Sequence, residues 1–183
     1  MPAPSDDDRG ARYAEVRTRI AGLLDGGGRD DEHGQACWRD DWVAALATVA
    51  SELHASFDHF HWTGFYRAVS DDLLVIGPYQ GGHGCLHIPF SRGVCGAAAR
   101  TRRTQRVDDV TVFPDHIACS TSTRSEIVVP VLDPAGVVLG VLDVDSDWPA
   151  AFTEVDQVQL EALAADLGRA PFSARRWWVR PSG

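Results

Sequence analysis

Three carboxylates lie in or beside the most apolar segments in the second half of the chain. In residues 136–146, GVVLGVLDVDS, the alternation of a strand predicts one face carrying Val137, Leu139, Val141, Asp143 and Asp145. Asp143 and Asp145 would lie roughly 6.6 Å apart, so a cation could sit between them, and their repulsion would raise at least one pKa. Hairpin pairing can bring Glu126 to the same place. Alternatively, Asp143, Asp145 and Ser146 only begin a turn.

Two of the cysteines are candidates for a reactive thiol. Cys95 follows the Ser-Arg-Gly turn of residues 91–93 at the start of a predicted helix, and a helix N-terminus and the nearby Arg92 both lower a thiol pKa. Cys119 lies near His116 in a long segment without periodicity, where a nucleophile can be exposed and mobile. Local electrostatics slightly favours Cys95, exposure and the neighbouring imidazole favour Cys119, and both remain candidates.

A metal centre is a weaker interpretation of the same region. Zinc would accept ligands from a predicted strand face and from the following loop, namely His83, Cys85, His87, His116 and Cys119. Structural zinc sites usually have closely paired ligands in turns, and the spacings from Cys85 to Cys95 and then to Cys119 match none of them. We therefore expect no bound metal.

Composition restricts the classes of function. With 183 residues, 44% hydrophobic and 23% charged, the chain has the composition of one globular domain with appendages. The net charge of -9 argues against nucleic acid and anionic membranes as partners. All 17 basic residues are arginine, and neither lysine nor asparagine occurs, so lysine Schiff-base and P-loop chemistry are excluded.

Cysteine usage and the N-terminal sequence indicate the compartment. Four cysteines, Cys37, Cys85, Cys95 and Cys119, are too sparse for a disulfide-stapled secreted scaffold. The segment MPAPSDDDRG has no apolar leader, and no stretch approaches the length of a membrane span. We expect a cytoplasmic protein with no membrane partner.

Periodicity predicts the elements that position these residues. Residues 1–10 read as a disordered tip, a first helix runs from about Arg12 to Gly26, and a long amphipathic helix runs from Trp38 to Phe57. Strand-like segments at 61–69, 73–81 and 85–90 precede an Ala-rich helix at 94–103 and a long loop at 105–124. A hairpin turning at 133–136 and a last helix capped by Thr153 follow. Strands clustered between helices indicate an α+β fold with a mainly antiparallel sheet.

Several motifs occur in a fixed order: HWTGFY at 61–66, GPYQG at 77–81, CLHIPFSRGVCG at 85–96, HIAC at 116–119, SEIVVP at 125–130 and GVLDVDS at 140–146. With them, residues 38–167 resemble the free methionine-R-sulfoxide reductases, which are built on a GAF domain. The resemblance implies a GAF-like antiparallel sheet flanked by helices. It also implies reduction of the R-sulfoxide of free methionine, not of a protein residue.

The same resemblance assigns roles to the thiols. It implies that Cys119 is the catalytic cysteine, Cys85 the resolving cysteine and Cys95 an auxiliary thiol. Cys119 would attack the sulfoxide sulfur and become a sulfenic acid, and Cys85 would condense with it to a disulfide. Thioredoxin or another dithiol would then reduce the disulfide, so no bound cofactor is implied.

The resemblance also implies which residues form the substrate pocket. Trp62 would pack on the methyl end of the substrate, and Tyr66 falls in the same pocket-lining stretch. The carboxylates of Glu126, Asp143 and Asp145 would receive the ammonium group and assist protonation of the sulfoxide oxygen. A carboxyl whose pKa is raised by a carboxylate neighbour is a suitable acid for that step.

The predicted domain organisation has three parts: a tip, helix and linker at 1–34, a GAF-like catalytic domain at 35–168, and a basic, Trp-containing tail at 169–183. Cys37 is assigned to packing, and a homodimer is compatible with the sequence. The main alternative is a non-enzymatic GAF module that senses a small ligand or redox state, although its cyclic-nucleotide form uses Asn and Lys, which this chain lacks. A redox or zinc-binding structural protein is the other alternative.

Overall fold

A computed structural model of the protein describes residues 5–25, 41–117 and 119–170. The predictions for Cys37, for the linker at 26–34 and for most of the C-terminal tail lie outside these residues. The described helices are α1 (Asp6–Asp25), α2 (Trp42–Ser56), α3 (Gly93–Thr101) and α4 (Glu154–Arg169). The strands are β1 (Trp62–Ala68), β2 (Leu73–Gln80), β3 (His87–Pro89), β4 (Gln105–Val107), β5 (Ser125–Leu132) and β6 (Val138–Ser146).

The six strands form one sheet in the order β3-β2-β1-β6-β5-β4, with every neighbouring pair antiparallel. This confirms the predicted α+β class. Helices α2 and α4 cover one face, with α1 packed against both helices, and Leu46, Phe65 and Leu142 belong to the larger core there. Helix α3 covers part of the other face, where a second core includes Trp62, Cys95 and Val141. The candidate functional residues lie on this second face.

The N-terminal helix begins earlier than predicted. Residues 6–10 are helical, not a disordered tip. The Ser5 hydroxyl accepts a hydrogen bond from the Asp8 N–H at 3.2 Å, and the acidic first turn complements the helix dipole. The buried Arg9 guanidinium pairs with Asp156 of α4 at 2.5 Å, and Tyr13 donates to the same carboxylate at 2.9 Å. These contacts fix α1 against α4.

The β5–β6 hairpin turns where the sequence predicted it. Asp133 accepts hydrogen bonds from the backbone N–H groups of Ala135 and Val137, and Gly136 has φ +79°. The predicted alternation along β6 is correct for Val141 and Asp143 but wrong for Leu139, which lies in the opposite core. The pairing shifts between Val131 and Leu132, leaving Leu139 as an extra residue in β6, which reverses the alternation there.

Two further differences concern the pocket side. Strand β4 lies inside the segment predicted as a long loop, and its three residues pair with β5. Strand β3 begins only at His87, so His83 and Cys85 do not share a strand face with it as predicted. None of the helices in the described ranges has the length and apolarity needed to cross a membrane.

Candidate active site

A pocket lies at one end of the sheet, between β1, β5 and β6, the N-terminus of α3, and the loops at 81–85 and 116–123. Seven of the eight residues predicted for the site line it: Trp62, Tyr66, Cys95, Cys119, Glu126, Asp143 and Asp145. The eighth, Cys85, reaches it through a disulfide bond with Cys119. The sequence therefore predicted a set of residues that the fold brings together.

Strand register places the carboxylates side by side. Across the three central strands, Asp145 of β6 lies opposite Glu126 of β5 and Trp62 of β1. Two residues earlier on the same face, Asp143 lies opposite Gly64, whose missing side chain leaves room for the Trp62 ring and Tyr79. The interpretation of Asp143 and Asp145 as the start of a turn is thus wrong, because β6 continues through Ser146.

Burial dominates the electrostatics of these carboxyls. Glu126 and Asp143 are only 6% and 4% exposed, whereas Asp145 is partly exposed. Burial raises the pKa of Asp143 to about 7. Burial, followed by the charges of Asp143 and Asp145, raises the pKa of Glu126 well above its ordinary range. Burial and then Asp143 do the same for the pKa of Asp145.

One carboxylate oxygen in this group is unsatisfied. Asp143 Oδ1 is buried and has no hydrogen-bond partner among the described residues. A buried acceptor without a partner costs about 1–3 kcal/mol. The pocket is therefore suited to a ligand that brings a hydrogen-bond donor, and a cationic donor would also offset the cost of ionising these carboxyls.

The three thiols in the described residues differ in state. Cys85 and Cys119 form a disulfide with their Cα atoms 5.2 Å apart. Cys95, in the first turn of α3, is buried, and its thiol donates to Glu126 Oε1 at 3.9 Å. Burial, then the charges of Asp143 and Glu126, raise the pKa of Cys95 well above its ordinary value. The expectation that its helix and Arg92 lower this pKa was wrong, because the thiol is buried and the pocket carboxyls face it.

His116 also contributes to the pocket, with its Nε2 4.0 Å from Glu126 Oε2. Burial lowers the pKa of His116, which favours a neutral imidazole. The five ligands considered for zinc do not converge, since Cys85 and Cys119 are bonded to each other and His87 is exposed. Within the described ranges, the group that could hold a metal is instead Cys95, Glu126 and Asp143, with donor atoms within 4.8 Å of one another.

Aromatic rings form a wall of the pocket beside the carboxyls. The Trp62 ring stacks on Tyr66 at 5.8 Å and on Tyr79 at 5.4 Å between ring centroids. Its indole N–H donates to the Gly82 carbonyl at 3.1 Å. Sequence reasoning missed Gly84, which lines the pocket, and Tyr79, which stacks on Trp62, although Tyr79 lies in the GPYQG motif and Gly84 directly precedes Cys85.

The arrangement combines a redox-active pair of cysteines, proton-holding carboxyls and an aromatic wall around one cavity of about 30 Å³. A dithiol formed by reducing the disulfide can donate two electrons to a bound oxidant. Carboxyls with raised pKa can donate protons near neutral pH. The chemistry available is therefore thiol-dependent reduction of a small molecule with a cationic group and an apolar end.

Comparisons with known proteins agree with this chemistry. A family model described as GAF domain matches residues 40–170. The free methionine-R-sulfoxide reductase of Escherichia coli is 42% identical over 126 residues, covering 69% of this chain and 75% of that protein. The one from Saccharomyces cerevisiae is 42% identical over 136 residues, covering 71% and 76%. The solved structure of the Neisseria meningitidis free methionine-R-sulfoxide reductase in complex with its substrate is similar with a TM-score of 0.78 at 42% identity, covering 96% of this chain and 95% of that one.

Proposed function

The chain belongs to the GAF-domain family and, within it, to the free methionine-R-sulfoxide reductases, and we propose that it reduces free L-methionine-R-sulfoxide to methionine with electrons from Cys119 and Cys85. This proposal depends on one observation: the Cys85–Cys119 disulfide and three carboxyls lie at the same pocket. The relatives' names supply the substrate, and the pocket chemistry fits it.

The carboxyls account for recognition of a free amino acid. Its ammonium group brings three donors and a positive charge to Glu126, Asp143 and Asp145, which includes the unsatisfied Asp143 Oδ1. A residue inside a protein has no such ammonium, because its nitrogen is in a peptide bond. The proposal therefore predicts selectivity for the free amino acid. The methyl and methylene groups pack on Trp62 and Tyr66, which are nearly completely buried.

In the proposed chemistry the Cys119 thiolate attacks the sulfoxide sulfur while a protonated carboxyl gives its proton to the sulfoxide oxygen. The S–O bond breaks, the oxygen transfers to Cys119 as a sulfenic acid, and methionine leaves with two electrons more than the substrate had. The Cys85 thiol then attacks the sulfenic sulfur and releases water, forming the disulfide present in the structure. Glu126 and Asp143 are suited to the acid role because burial raises the pKa of both.

Cys95 fits an auxiliary role better than that of the attacking thiol. Its raised pKa keeps it protonated at neutral pH, and a thiol is a far weaker nucleophile than a thiolate. From its place beside Glu126 it donates a hydrogen bond to one of the carboxyls. We further propose that thioredoxin or a similar dithiol reduces the disulfide, that no cofactor is bound, that the protein is cytoplasmic, and that a homodimer is its assembly. The division at residues 34 and 168 is likewise proposed.

The experiment that tests this function follows both epimers of free methionine sulfoxide by chiral chromatography, with dithiothreitol or a thioredoxin system as reductant. We expect consumption of the R epimer and no consumption of the S epimer. N-acetylmethionine-R-sulfoxide is the matched substrate, since it differs by the loss of the ammonium charge, and its turnover should be at least tenfold slower. Cys119→Ser is the inactive control. Binding of the sulfoxide without turnover would instead support the non-enzymatic GAF module.

A further inference from the structure

The segment at residues 81–84, here called the glycine segment, connects β2 to Cys85 and lies against the aromatic wall. Gln80 ends β2, and the chain rejoins the sheet where the Ile76 N–H donates to the Leu86 carbonyl at 3.1 Å. Between these points the Gly82 carbonyl accepts the indole N–H of Trp62 at 3.1 Å. The glycine segment therefore contacts the side chain proposed to bind the substrate methyl group.

Within the glycine segment, Gly84 has the least space between its Cα atom and the aromatic side chains of the wall. A Cβ atom at Gly84 would lie 2.8 Å from the Tyr66 hydroxyl oxygen, 3.1 Å from Ile76 Cδ1 and 3.2 Å from Trp62 Cζ2. At Gly82, by contrast, a Cβ atom would have no atom within 4 Å. Two glycines of one segment thus differ sharply: Gly82 has room for a methyl group, and Gly84 has none unless Tyr66 or Trp62 moves.

The two rings have little freedom to move elsewhere. Tyr79 stacks on Trp62 with an interplanar angle of 15°, and Tyr66 stacks on it with an angle of 24°. The indole also lies close over Gly64, where a Cβ atom would be 2.7 Å from Trp62 Cη2. Closely packed side chains transmit strain, so an atom that displaces Tyr66 also displaces Trp62. Displacement of the pair changes the wall that meets the ligand.

We propose that Gly84 is a positioning residue for the substrate, because its lack of a side chain lets Tyr66 and Trp62 take the arrangement that binds the apolar end of methionine sulfoxide. This inference rests on the proposed function. The three atoms nearest to a methyl group at Gly84 belong to Tyr66, Ile76 and Trp62, so it acts first on the rings proposed to bind the substrate. The expected result is a rise in KM with kcat largely kept, since none of these three atoms belongs to the Cys85–Cys119 pair.

The kinetic test compares Gly84→Ala with Gly82→Ala, which adds the same methyl group to the same segment and keeps the carbonyl that binds the indole. The KM of Gly84→Ala should exceed that of Gly82→Ala by about tenfold, with kcat values within about threefold of each other. Removing the nearest clashing atom gives an internal check. In a Tyr66→Phe background the same Gly84→Ala change should raise KM by less than threefold. Equal KM values for the two alanine variants, or a tenfold effect that persists without the Tyr66 hydroxyl, would overturn the proposal.

A second readout does not depend on activity. In protein labelled with 5-fluorotryptophan, the Trp62 resonance is identified by its loss in Trp62→Phe. The resonance should shift in Gly84→Ala by more than it shifts in Gly82→Ala. An unmoved Trp62 resonance in folded Gly84→Ala would overturn the positioning role. If the wild-type protein bound but did not reduce free methionine-R-sulfoxide, the proposed function would fail, while this spectrum would still decide the role of Gly84.

Discussion

The buried carboxyl of Asp143 should make the unliganded protein less stable as pH rises. Burial raises its pKa from the ordinary 3.8 to about 7. The folded protein therefore keeps a proton that the unfolded chain has already released, and stability falls as pH rises from about 4 to about 7. A shift of about 3 pKa units corresponds to about 4 kcal/mol, which is present at low pH and lost above pH 7.

The substitution that tests this is Asp143→Asn, which resembles the protonated carboxyl in shape and cannot ionise. At pH 8 the variant should unfold at a temperature higher than the wild type by on the order of 10 °C, and the difference should vanish near pH 4. Asp147→Asn is the matched control, because Asp147 is exposed on the same segment and its change alters the net charge equally. Thermal unfolding followed by circular dichroism between pH 4 and pH 8 measures both.

The same substitution should impair function while it stabilises the fold. Loss of a charged partner for the ammonium group should lower kcat/KM for free methionine-R-sulfoxide by about 100-fold, the equivalent of about 3 kcal/mol. A Tm difference between Asp143→Asn and wild type that stayed constant from pH 4 to pH 8 would refute the reasoning. So would an increase in stability of the same size in Asp147→Asn.

Three other outcomes follow from the thiols and the buried ion pair. Cys119→Ser should abolish methionine release. With thioredoxin as reductant, Cys85→Ser should release about one equivalent of methionine per protein and then stop. If Cys85→Ser turned over as the wild type does, the resolving role would belong to Cys95. Reduction of the Cys85–Cys119 disulfide, which closes a loop with a sequence separation of 34 residues, should lower the free energy of unfolding by up to about 4 kcal/mol in urea titrations. An unchanged free energy of unfolding would contradict a net stabilisation of the fold by this bond. Asp156→Asn should lower the free energy of unfolding by about 3–5 kcal/mol in the same titrations, because it leaves the Arg9 guanidinium buried without its charged partner. A decrease of less than about 1 kcal/mol would contradict a stabilising role for this ion pair.

The sequence predicted well where one physical rule decides the outcome. The alternation of side chains along a strand placed Asp143 on the pocket side of β6, and the Asp-Pro-Ala-Gly segment predicted the hairpin that brings Glu126 beside Asp145. The apolar stripe of the second helix predicted α2, and Thr153 was correctly expected to cap α4. These features depend on neighbours along the chain or on a simple period.

Sequence reasoning failed where contacts between distant segments decide. The pKa of Cys95 depends first on its burial and then on Asp143 and Glu126, and both arise only through the fold, so the local features of its helix gave the wrong direction. Leu139 lies on the opposite face of the sheet from the one predicted because of a β-bulge, which no sequence pattern indicated. The start of α1 depends partly on the burial of Arg9 against Asp156, a contact between residues 147 positions apart.

The stability and the redox state of this protein are linked through the pocket. Ionisation of the buried Asp143 costs about 4 kcal/mol above pH 7, and the disulfide offsets a similar amount in the oxidised form. Reduction removes that offset, so the reduced and unliganded form should be the least stable state at neutral or higher pH. In the proposed cycle it is also the state that binds the substrate, whose ammonium group would satisfy the carboxyls. Methionine sulfoxide should therefore raise the Tm of the reduced Cys119→Ser variant more at pH 8 than at pH 5, because Asp143, whose pKa is about 7, is ionised at the higher pH and protonated at the lower.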